Sequence, residues 1–293
     1  ARRNEMYSTA HEMWKDVVSK RPDNVRARLG LIGSLTQRRE FDKAEEMARS
    51  LVERIESGDP AISDNRVRAA SGEYYYPMAL KKLGEILAAK GRPVEAITQY
   101  RKSLTRRTDD KSLYCNLAVA LYMAGRLEEA LRNCETAIRL DRRYARALAF
   151  KGFLLAEKER YPEARRYYEK ALDLDPGLLN VRYELAWLFA ACSNPEVRDG
   201  KRAVDLAVEV CQATGGMSYR ALDLLGAAFA ESGDYASAVE AASKALSMAR
   251  SAGKADSGEE MTVERMGGGR HIVSEESIAK RLEMYRAGRA FRE

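Results

Sequence analysis

Three consecutive stretches of 34 residues, 77–110, 111–144 and 145–178, carry the same residue types in the same columns without a gap. Gly84, Ala118 and Gly152 share one column, Ala96, Ala130 and Ala164 a second, and Ser103, Ala137 and Ala171 a third. Tyr100, Cys134 and Tyr168 occupy a fourth, and Leu104, Ile138 and Leu172 a fifth. A fixed period of this length marks a repeat array and constrains the fold more tightly than composition does. The columns recur outside the block. Segment 25–58 supplies Leu31, Leu35, Phe41, Ala44, Ala48 and Leu51, and segment 219–252 supplies Leu225, Gly226, Phe229, Tyr235, Ala238 and Ala245. Segment 179–218, six residues longer than the period, supplies Leu185, Ala186, Phe189, Ala203 and Val210.

The columns follow from packing. Each unit carries two short helices that are unstable alone and must bury their apolar stripes on each other and on the next unit. Gly and Ala stand where two helices approach closely, and larger residues fill the space beside them. The turns Lys90-Gly91-Arg92, Ala124-Gly125-Arg126 and Ser232-Gly233-Asp234 place glycine where a helix ends in a positive-φ residue. Pro176 closes a unit because proline cannot continue a helix. Strand signals are absent.

The sequence of Leu-Gly/Ala, then Tyr/Phe/Leu, then Ala, Tyr and Ala, closing with Leu174-Asp175-Pro176, resembles the tetratricopeptide-repeat (TPR) family over about residues 5–250. The resemblance implies an all-α, right-handed superhelical solenoid whose concave groove, lined by the first helix of each pair, binds a protein or peptide ligand. The expected organisation is a half repeat at 1–24 (second helix only), repeats at 25–58, 77–110, 111–144, 145–178, 179–218 (with an insertion) and 219–252, a linker at 59–76, and a flexible tail with a short terminal helix at 253–293.

The ends and breaks carry further expectations. Tyr7, Ala10, Trp14, Val17 and Pro22 occupy second-helix columns with no first helix before them. The Tyr7/Trp14 face is therefore uncovered and is a candidate for self-association. Residues 59–76, ending in Tyr74-Tyr75-Tyr76, read as a loop leading into a lengthened helix, and 193–200 as a second insertion. Gly267-Gly268-Gly269 lacks the Gly-Lys-Ser/Thr of a phosphate loop and reads as linker. Ser274 caps a helix with Ile278, Leu282 and Tyr285 on one face, expected to fold back on the last repeat. Residues 7–27, and Tyr285 to Glu293 with the stretch 198–231, resemble the TPR tails of bacterial membrane glycosyltransferase-like proteins. That resemblance implies an accessory tail, cytoplasmic or on the outer side of a bacterial membrane, whose membrane contact lies in a missing N-terminal region. The opening Ala1 in place of Met agrees with it. The catalytic residues of such enzymes lie in the membrane part, and none carries over.

Composition argues against chemistry in this chain. The four cysteines, Cys115, Cys134, Cys192 and Cys211, form no CxxC pair, and there are two histidines, His11 and His271. Neither a metal site nor a nucleophile–base pair is expected, and no cofactor. No apolar run of membrane-spanning length occurs. The net charge of +6 includes the pairs Arg106-Arg107, Arg142-Arg143 and Arg165-Arg166, but without interleaved aromatics this is a weak case for nucleic acid. The residues expected to face the groove are Lys81, Asn116, Val119, Tyr122, Arg146, Phe150, Phe153, Tyr183 and Trp187, basic towards the N-terminal side and aromatic in the middle. Lys81, Asn116 and Arg146 fall in or near columns with which, as the resemblance implies, some TPR domains hold the terminal carboxylate of heat-shock chaperones. Glu85 stands where Asn is expected and Phe150 where a base is, and a carboxylate beside Glu85 is repelled.

Overall fold

A computed structural model describes residues 10–59, 68–216, 218–253 and 273–292. Every regular element among them is an α-helix. The chain divides into two compact units, Ala1–Leu140 and Asp141–Glu293.

The first unit holds α1 (Ala10–Lys20), α2 (Val25–Gln37), α3 (Phe41–Glu56), α4 (Arg68–Ala89), α5 (Pro93–Leu104), α6 (Lys111–Met123) and α7 (Leu127–Leu140). Each packs on its chain neighbours, and α4 also touches α2 and α6, so the first helices of successive pairs adjoin. The second unit holds α8 (Ala145–Glu157), α9 (Tyr161–Leu174), α10 (Leu179–Ala191), α11 (Gly200–Ala213), α12 (Tyr219–Ser232), α13 (Tyr235–Gly253) and α14 (Glu275–Arg286). Here α10 adjoins α12, and α14 packs on α13 and touches α12.

Local chemistry fixes the starts of these helices. The Asn24 side chain accepts from the Ala27 N–H, that of Asp110 from Ser112 and Leu113, that of Asp199 from Arg202, and that of Ser218 from Ala221. Ser274 and Ser277 cap each other reciprocally at the start of α14. These bonds satisfy N–H groups that have no partner within the helix.

Complementary sizes set the spacing within a pair. A Cβ on Gly84 would lie 2.5 Å from the Tyr100 ring, and one on Gly152 would lie 2.8 Å from that of Tyr168. The same two columns hold Ala118 with Cys134, and Ile32 with Ala48, all fully buried. In three of these four pairs one large partner fills the gap, while Ala118 and Cys134 are both small. Gly226 and Ala242 are also both small, and a Cβ on Gly226 would lie 3.3 Å from the Ala238 carbonyl oxygen, much as one on Gly152 would lie 3.2 Å from that of Ala164. One turn column takes positive φ in the repeats without the insertion, at Gly91 (72°), Gly125 (75°) and Gly233 (87°), but also at Arg39 (61°) and Glu159 (58°). The last two carry a strain that glycine would not.

Two segments gain definition. The segment 59–76 is not all linker, because α4 begins at Arg68 and runs through Pro77. The insertion at 193–200 is built into the fold. The Asp199 N–H donates to the Phe189 carbonyl (3.0 Å), Val197 is buried, and a Cβ on Gly200 would lie 2.6 Å from the Ser232 nitrogen. Glycine at 200 thus lets the start of α11 abut the end of α12.

Candidate protein-binding surfaces

In the first unit, α1, α2 and α4 with the loop before α6 enclose a recess of about 770 Å³. One wall is aromatic. The Trp14 ring covers Gly30, where a Cβ would lie 2.5 Å from it, and Tyr74 meets Tyr75 edge-on with ring centroids 5.2 Å apart. Tyr74 is 53% exposed. Arg26, Lys81, Lys82 and Arg107 line the recess together with Glu85 and Asp110. Lys81 pairs with Asp110 (3.4 Å) and hydrogen-bonds Ser112, while Lys82 pairs with Glu85 (2.9 Å). Among the described residues, Arg26 and Arg107 form no ion pair, so two cations remain in excess. Burial would raise the Asp110 carboxyl, but Ser112, Lys81 and the Leu113 N–H hold it below its ordinary value. It therefore stays ionised at neutral pH and keeps Lys81 occupied.

In the second unit the surface around Trp187 is covered by the chain itself. Arg281 of α14 forms a bidentate pair with Asp223 of α12 (2.9 and 2.5 Å), both side chains being buried. Burial pushes the Asp223 carboxyl up from its ordinary value, against the pull of Arg281. The Arg281 guanidinium lies 5.5 Å from the Trp187 ring and 5.3 Å from that of Phe291, and these two rings stack with centroids 6.4 Å apart. Arg292 then reaches Glu231 (2.6 Å), which Arg198 of the 193–200 insertion also contacts (3.1 Å).

The expected groove residues meet different fates. Lys81 and Asn116 are engaged internally, Asn116 donating to Glu85 (3.1 Å), and Val119 is buried. Tyr122 is half-buried. Arg146 is exposed, and Phe150 and Phe153 stack in one half-buried pair, 5.8 Å between centroids. Trp187 and Tyr183 are only 1% and 8% exposed, so neither stands open as an aromatic anchor. Arg281 and Phe291 of the terminal segment, placed by sequence only against the last repeat, lie over Trp187, while the Arg220 guanidinium of α12 stands 5.9 Å from the Tyr183 ring. Sequence reasoning missed Trp14, Arg26, Tyr74, Tyr75 and Arg107 as one site; the flagged Tyr74-Tyr75-Tyr76 run was the available signal. Tyr7 and His271 lie outside the described residues.

The other candidate chemistry finds no support. Cys115, Cys134 and Cys192 are buried and in no disulfide, and burial raises the half-buried Cys211 thiol, which disfavours a reactive thiolate. Among the described residues no group of three His, Cys, Asp or Glu could hold a metal ion, and no helix is long and apolar enough to cross a membrane.

Paired helices with small-residue columns at a 34-residue period find their match in known proteins. Sequence signatures described as tetratricopeptide repeat match residues 1–60, 52–111, 109–176 and 219–251. The chain belongs to the TPR family. Among curated relatives, mouse (Mus musculus) RNA polymerase II-associated protein 3 is 28% identical over 54% of the TPR chain. The DnaJ homolog subfamily C member 7 homolog of Schizosaccharomyces pombe is 28% identical over 50% of it. The chain spans 23% and 31% of these two relatives' length. Among solved structures, the Cut9-Hcn1 hetero-tetramer of the APC/C gives a TM-score of 0.67 at 12% identity, over 88% of this chain and 45% of that one. Pseudomonas aeruginosa pilF gives 0.59 at 22% identity, over 77% of this chain and 91% of that one. At these identities the structural likeness shows the TPR fold alone.

Proposed function

We propose that this chain is a non-catalytic protein-interaction scaffold whose first-unit recess takes an acidic peptide segment carrying an aromatic or large apolar residue. The observation that carries this reading is the pairing of an aromatic wall at Trp14, Tyr74 and Tyr75 with Arg26 and Arg107, whose charges no described residue neutralises. An aromatic ring supplies contact area, and an acidic partner supplies the missing counter-charge. Of the groove residues expected from sequence, Lys81 lines this recess, and Asn116 acts on it by holding Glu85. The TPR relatives named above agree with a scaffold rather than an enzyme.

The test is selection from a displayed library of random peptides, followed by fluorescence anisotropy on the selected sequences. Enrichment of Asp/Glu-flanked aromatic or Leu residues is expected. Arg26→Glu with Arg107→Glu should weaken binding at least roughly tenfold and flatten its salt dependence. Tyr74→Ala, at an exposed position, should cost a few-fold. If charge reversal leaves the selected peptides bound as before, the recess is not their site.

A further inference from the structure

The terminal segment of this sequence sits on the second unit in two parts that are held very differently. The helix α14 is anchored by Ile278, Leu282 and Tyr285, all buried, and by the buried Arg281–Asp223 pair. Its end is closed by bonds from the Ala287, Gly288 and Arg289 N–H groups back to Glu283, Tyr285 and Met284. Past Arg289 the described chain makes no further backbone hydrogen bond to the fold. Phe291 and Arg292 are held by side chains alone: Phe291, half-buried, stacks on Trp187 beside Arg281, and Arg292 pairs with Glu231.

The surface beneath them has the features of a receptor for such a segment. Trp187 with the Arg281 guanidinium forms an aromatic–cation platform on which a ring can stack. Glu231 offers a carboxylate that is only 13% exposed, already oriented by Arg198, to a guanidinium one residue further on. Platform and carboxylate both belong to the folded unit, whereas the ring and guanidinium they hold come from a strand without backbone ties.

We propose that this surface is a peptide-binding site for a segment in which an aromatic residue is followed by arginine, and that residues Ala290–Arg292 are its displaceable resident. A partner bearing the same Phe-Arg chemistry competes with them in trans. The site shares no residue with the first-unit recess, and its ligand carries the opposite charge there.

A tethered segment competes at an effective concentration of roughly millimolar, so a modest intrinsic affinity suffices to keep the site filled and to mask it. The test uses a fluorescein-labelled peptide of residues 286–293, its Phe→Ala version, and three forms of the protein. These are the full chain, a chain shortened after Arg289 (which keeps the bonds that close α14), and full-length Phe291→Ala. The shortened chain should bind the peptide at least roughly tenfold more tightly than the full chain does, Phe291→Ala should also gain affinity over the full chain, and the Phe→Ala peptide should bind none of them. Glu231→Gln in the shortened chain should weaken binding and reduce its salt dependence. Equal binding of both peptides, or no gain in either altered protein, overturns the proposal. Circular dichroism checks that α14 survives shortening. If it does not, Phe291→Ala alone decides, because it leaves α14 and its cap untouched.

Discussion

The recess of the first unit is open, and the surface around Trp187 in the second is filled by its own chain. In the first, the recess beside Trp14 and Tyr74 keeps two guanidiniums, Arg26 and Arg107, without carboxylate partners among the described residues. In the second, Trp187 is covered by Arg281 and Phe291, while Arg281 pairs with Asp223 and Arg292 with Glu231. The same repeat scaffold thus presents one vacant and one occupied face. What separates them is not the helices themselves but which side chains return to them from elsewhere in the chain.

The two units also close their ends with different electrostatics. In the first, Glu45 is ringed by Arg49 (2.8 Å), Lys90 (2.7 Å) and Arg92 (2.7 Å), a cluster that ties α3 to the α4–α5 turn. Its cations remain partly in water. In the second, Arg281 and Asp223 are both buried. A buried pair contributes little net stability over an apolar pair, but losing one member leaves the other charged and unsolvated.

The largest effect should therefore come from Arg281→Ala, which strands Asp223. We expect a loss of about 3–5 kcal/mol for α12–α14, read by hydrogen exchange, with α1–α7 unchanged. Combining Asp223→Leu with Arg281→Met should recover most of it. A loss spread equally over both units would break the comparison.

A middle-sized effect separates the units by pH. Burial alone would raise the Glu45 carboxyl, but hydrogen bonds from Lys90, Arg49 and Arg92 outweigh it and bring its pKa from 4.5 to about 2. A depressed carboxyl stabilises the fold above its unfolded pKa, and that stability is lost as pH falls from about 4.5 towards 2. About 1–3 kcal/mol should disappear from α3–α5 over this window, and Glu45→Gln should remove the dependence. For Asp223 the sign is opposite, since its folded pKa is raised. Its contribution weakens as pH rises through that shifted value and is not lost on acidification. Acid should thus loosen the first unit before the second, as followed by exchange at pH 3 and pH 6.

The smallest effect uses the turn column. Glu159→Gly should gain about 0.5–1 kcal/mol by relieving a positive φ, read by denaturant titration, whereas Gly125→Ala at the equivalent turn should lose at least as much. A gain of the same size for Arg39→Gly would show that the two units share this property, unlike the others.

Much of the fold was legible because its determinants are local and repeated. Gly84 with Tyr100, Gly152 with Tyr168 and Ala118 with Cys134 stand sixteen residues apart, at the two positions where one helix pair must touch. The terminal helix was legible too, from Ser274 and the stripe Ile278, Leu282 and Tyr285. The site was legible only in part. Lys81 lines the recess, but nothing in its neighbourhood announced that Asp110, 29 residues away, would occupy its charge. Trp187 reads as a groove anchor by column, and its cover comes from Arg281 and Phe291 in a different helix and a tail.

The sequence by itself determined that this chain is a TPR array and where the columns of its regular repeats fall, because a period of 34 imposes similar helix contacts on each of them; it did not fix the start of α4 at Arg68 or the packing of 193–200. Only the tertiary structure decided which surface stands open and which is filled. That choice depends on contacts such as Arg281–Asp223, 58 residues apart, and Phe291–Trp187, whose partners come from outside the repeat that displays them and follow no period.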